Sequence, residues 1–151
     1  MFNYSTLVVG YGSSLRRDDV LGLKISSMVA SWNLIGVKVL RVHQLTFELA
    51  YELSLVEKVI LIDAASNLDS QVKLEQILAS DTQELFTHGC SPSGLIAISQ
   101  WLYGKAPEVW LLQINAEDFS LGRGISPKAK QGITAGLKIL YSFLTGVLCT
   151  R

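Results

Sequence analysis

The chain has 151 residues, 49% of them hydrophobic and 17% charged, with 13 basic and 13 acidic side chains. That length suggests one domain, spanning 1–151, which can bury roughly 68–70% of its unfolded surface without disulfide or metal staples. The apolar excess predicts a sheet covered on both faces. The absence of net positive charge argues against nucleic acid or an anionic membrane as partner.

No apolar run approaches the roughly 18 residues that a bilayer span needs. Met1 to Thr6 is short and polar, so no signal peptide is expected. Cys90 and Cys149 lie far apart and read as free thiols of a cytoplasmic protein.

The first strand is the apolar run Leu7-Val8-Val9. Gly10 and Gly12 follow, then a polar loop from Ser13 to Arg17. Asp18 and Asp19 come next, where either could cap a helix and favour the positive end of its dipole. That helix carries Leu21, Ile25, Met28, Val29 and Trp32 at spacings of three and four. Val37 to Val42 alternates as a second strand and ends in His43-Gln44. Thr46 is expected to cap a short helix through Leu53. Lys58 to Ile62 is the strongest strand signal, ended by Asp63-Ala64-Ala65. Val72 to Ile77 reads as an antiparallel edge strand, and Thr82 to Ser91, which contains His88, as irregular. Ser91-Pro92 opens a helix to about Tyr103, because proline suits the first helical position. Glu108 to Ile114 is a buried strand, and Ser126-Pro127 opens a last helix ending near Leu148. The pattern is α/β: a doubly wound domain of about five mostly parallel strands with helices on both faces.

Three residues are candidates for chemistry. Asp19 follows the first strand, Asp63 ends the third, and His88 precedes the third long helix. Right-handed crossovers bring the ends of parallel strands to one edge, where ligands bind in open α/β sheets. Two carboxylates and an imidazole would make a half-open site for a divalent metal such as nickel or zinc. Each residue also has a plainer reading. Asp19 suits a helix cap, Asp63 a turn acceptor, and His88 a solvated loop position. The spacings of 44 and 25 residues form no short metal motif. His43 is a further candidate for a supporting or substrate contact, Cys90 reads as a small apolar filler, and Arg16-Arg17 as a solvated pair. The turn lacks the third glycine of a dinucleotide fingerprint, since Leu15 stands there. Neither a phosphate-binding loop nor a G-x-S-x-G nucleophile elbow is present.

Taken together these segments resemble the nickel-iron hydrogenase maturation endopeptidases. The family pattern, G-x-G-N-x-L-x-x-D-(D/E)-G-x-G, is similar to Gly10 through Gly22, with Ser13 in place of Asn and Val20 in place of Gly. Ile60 to Ala64 resembles the strand ending in Asp-Ala, and His88 to Leu95 the histidine segment. Ile125-Ser126-Pro127 also looks familial. The segment His43 to Leu49 is similar to the subgroup serving cyanobacterial and other bidirectional hydrogenases. The resemblance implies an endopeptidase that trims the C-terminus of a hydrogenase large-subunit precursor. It implies Asp19, Asp63 and His88 as metal ligands, the two aspartates as catalytic groups, and nickel carried in by the substrate. A receiver-like signalling module or a non-catalytic binding domain is the rival reading. A receiver would need a lysine after the last strand, where Asn115-Ala116 stand.

Overall fold

The computed structural model describes residues 3–80 and 90–147. Five strands form one sheet: β1 (Thr6–Tyr11), β2 (Val37–Val42), β3 (Lys58–Ser66), β4 (Val72–Ile77) and β5 (Glu108–Ala116), in the order β2-β1-β3-β5-β4. All neighbours are parallel except β4, which pairs antiparallel with β5 at the edge. Among the described residues four α-helices join them, α1 (Leu21–Ser31), α2 (Leu49–Ser54), α3 (Pro92–Tyr103) and α4 (Pro127–Thr145), with a short 3-10 helix at Arg17–Val20 before α1.

Strand alternation divides the core. Leu7, Val9, Val59, Leu61, Val109 and Leu111 face α2 and α3, where Leu49, Leu53 and Leu95 meet them. Val8, Ile60, Ile62, Leu112 and Ile114 face α1 and α4, packing on Leu21, Ile25 and Leu140. Both faces of the central strands are dry, as continuous apolar runs require.

The sequence signals at Ser91 and Ser126 act as expected. Each hydroxyl accepts from the N–H three residues on, Gly94 at 3.0 Å and Ala129 at 3.1 Å, with proline at the first helical position. Three details differ from the sequence reading. Thr46 caps nothing with its side chain; its carbonyl accepts from the Leu49 N–H, and α2 starts at Leu49. β3 does not stop at Ile62, because β5 continues beside it and pairs Asp63 with Gln113 and Ser66 with Ala116. Asp63 therefore stands inside a strand. α4 ends at Thr145, where Gly146 takes φ 73° and breaks the helix.

Candidate active site

Glycines bring the start of α1 onto the ends of β1 and β3. A Cβ on Gly22 would lie 2.4 Å from the carbonyl oxygens of both Ile62 and Tyr11. One on Gly10 would lie 2.0 Å from the Gly22 carbonyl oxygen. No side chain fits at either point, so the helix rests directly on strand backbone. Between them the chain folds back on itself. The Ser13 N–H donates to Asp19 Oδ2 at 2.9 Å, and the Leu15 N–H donates to Ser13 Oγ at 3.2 Å. Ser13 thus supplies the short-range turn acceptor that an asparagine would offer. Val20 has φ −76°, a value any residue adopts, so the departure from glycine there costs no backbone strain.

The neighbouring acids point to different tasks, and neither caps a helix with its side chain. Asp18 is fully buried. Its carboxylate accepts from the N–H groups of Glu117, Asp118 and Ser126 at 2.8–3.1 Å and from the Ser126 hydroxyl at 2.7 Å. Burial alone would raise its pKa, but these donors outweigh it and hold the carboxyl below its ordinary value. The Arg17 N–H donates to Gly122 O, and the Arg17 guanidinium reaches Ser120 Oγ and Arg123 O. Loops 12–20 and 117–126 are therefore fastened into one body. Arg17, with φ 39°, takes the left-handed backbone conformation within this clamp.

Asp19 and Asp63 both line an open cleft of about 860 Å³ at the carboxyl edge of the sheet. Tyr11, His43, Cys90, Leu15 and Leu121 share its walls. Tyr11 follows the Gly10–Ile62 pair, so strand alternation sets it beside Asp63 on the same face. Its phenol neighbours the Asp63 carboxylate, and each affects the other's titration. Burial pushes Asp63 up to about 6, and the charge of Asp19 adds to the rise, while the Ala64 N–H and the Tyr11 hydroxyl oppose it. The Tyr11 phenol is raised by burial and by the adjoining Asp63 charge, so it remains a donor. A carboxyl titrating near neutrality can both take and return a proton.

His88 lies outside the described residues. Among the described residues no three His, Cys, Asp or Glu side chains gather as a metal site; the two aspartates are brought together. His43 is on the cleft wall and exposed. Cys90 is a free thiol, half-buried against the α2/α3 core, and burial raises its pKa. Sequence reasoning missed Tyr11. Alternation from Leu7 and Val9 could have found it, had β1 been carried two residues further.

No family model matches this sequence, and no curated protein matches it. Solved structures do. Over 93% of this chain and 92% of the other, it is similar to a hydrogenase maturating endopeptidase, HybD, from Escherichia coli, with a TM-score of 0.75 and 19% identity. It is similar to the nickel-iron hydrogenase maturation protease HybD from Thermococcus kodakarensis over 93% and 99% of the two chains, with a TM-score of 0.70 and 22% identity. The maturation protease HycI from the same organism matches over 92% and 91%, with a TM-score of 0.73 and 14% identity. The chain has the fold of these proteases over nearly its whole length.

Proposed function

We propose that this protein is a cytoplasmic endopeptidase that removes the C-terminal extension of a nickel-loaded hydrogenase large-subunit precursor. The carrying observation is the convergence of Asp19 and Asp63 in one cleft of a maturation-protease fold. Nickel belongs to the substrate in this reading. Two carboxylate oxygens with a His88 imidazole form a donor set suited to a divalent transition metal already held by substrate cysteines. A metal so held would supply Lewis-acid polarisation of the scissile carbonyl. Asp63, beside the Tyr11 hydroxyl, accepts the proton of the attacking water and returns it to the leaving amine. Asp19, tied down by the Ser13 N–H, faces the same space. The His43 to Leu49 segment favours a bidirectional hydrogenase as the source of the precursor. The receiver-like alternative finds no support: Asn115 lies within β5 and hydrogen-bonds the backbone of Leu68.

The test is intact-mass analysis of precursor incubated with the protein, in nickel-loaded and metal-free forms. Only the loaded form is expected to shorten. Equal trimming of both would show that the metal is not what the protein recognises.

A further inference from the structure

Two leucines stand out on the cleft wall. Leu15 is 67% exposed and Leu121 is 69% exposed, and both line the cleft that holds Asp19 and Asp63. An exposed leucine on a mobile loop would mean little. These two are held outward by backbone. The Gly122 N–H donates to Leu15 O at 2.9 Å, the Arg17 N–H returns a bond to Gly122 O at 3.2 Å, and residues 16 and 122 form a parallel bridge. Beneath them the buried Asp18 ties both loops together. The leucines are thus presented on a braced rim, each next in sequence to a residue of the Arg16–Gly122 bridge, and Arg16 also lines the cleft. Two apolar side chains carried beside the aspartate pair on backbone that is already fixed form a surface for an apolar group of the substrate, since the backbone ordering cost is already met in the free protein.

We propose that Leu15 and Leu121 form a specificity rim that receives an apolar side chain of the substrate chain next to the scissile bond. The assignment rests on the proposed endopeptidase function. The rim selects the peptide that enters, while the aspartates and the substrate metal act on the bond. Removing apolar contact from such a surface weakens binding of substrate and transition state alike, so KM rises while kcat holds.

The experiment measures KM and kcat on nickel-loaded precursor by quantitative mass spectrometry. The proteins are wild type, Leu15→Ser, Leu121→Ser, the double variant, Leu15→Met, and Ile35→Ser as a control. Ile35 is fully exposed and remote from the cleft wall. The double variant is expected to raise KM by about 10-fold or more with kcat and melting temperature unchanged. Leu15→Met, which keeps an apolar side chain there, should retain most of the affinity that Leu15→Ser loses, and Ile35→Ser should match wild type. Replacing the apolar residue flanking the cleavage point with serine should weaken processing by wild type but add little to the loss in the double variant, because the two changes delete one contact. A double variant with wild-type KM overturns the rim while leaving the endopeptidase reading in place. A wild-type protein that trims no precursor overturns that reading, and the rim with it.

Discussion

At Asp18 the carboxylate is spent inside the fold, where it binds three N–H groups and a hydroxyl of the 117–126 loop. An asparagine keeps one acceptor oxygen but turns an amide N–H₂ toward those donors. Asp18→Asn is therefore expected to destabilise the protein by roughly 3 kcal/mol, the cost of losing charge-assisted bonds and stranding buried donors. Chemical denaturation would measure it, and a change under 1 kcal/mol would mean the clamp is slack. Because the native carboxyl is held below its unfolded value of 3.8, its contribution is present above that value and lost as pH falls through the lower native one. The variant's acid limb should accordingly be flatter. Asp63 has the opposite sign. Its native value of about 6 lies above the unfolded 3.8, so stability is fully present below the unfolded value and lost as pH rises through the native one. Asp63→Asn should thus stabilise the free protein by on the order of 1–2 kcal/mol at pH 8, discounted for partial exposure, with the gain fading near pH 4. Processing should be lost in the same variant, a trade of activity for stability. Thermal melts at both pH values decide it; a destabilised variant at pH 8 would show that Asp63 supports the fold.

Elements place these residues, and the sequence reveals them unevenly. Helix starts at Ser91 and Ser126 were legible because serine-proline caps are local chemistry. The antiparallel edge strand β4 was legible because one solvated face leaves alternation in the sequence. The length of β3 was not, since its extension past Ile62 depends on a partner, β5, about 50 residues later. The task of Asp18 was hidden for the same reason: its donors lie about 100 residues away. The glycines were visible as a motif, but their cause is a contact between elements. Gly22→Ala would drive a methyl into two backbone carbonyls that have no room to move. A loss of about 3 kcal/mol or more, or no folded protein, is expected on heating or denaturant titration. A variant as stable as wild type would mean that α1 stands further from the sheet than described.

For the molecule as a whole, the parallel order of β2, β1, β3 and β5 turns four strand ends to one edge, and the cleft opens there. β1 supplies Tyr11, its following loop supplies Asp19, β3 supplies Asp63, and the segment after β2 supplies His43. A rigid strand holds Asp63, while the braced loops hold Asp19, Leu15 and Leu121. No described helix is long and apolar enough to cross a membrane. The central claim is that the paired aspartates in this cleft perform the trimming. Its most direct test is the intact mass of a nickel-loaded large-subunit precursor after incubation with wild type and with Asp19→Asn, both verified as folded by their melting temperatures. The account predicts a precursor shortened by its C-terminal extension with wild type and left at full mass with Asp19→Asn. Precursor trimmed at the wild-type rate by Asp19→Asn would contradict it.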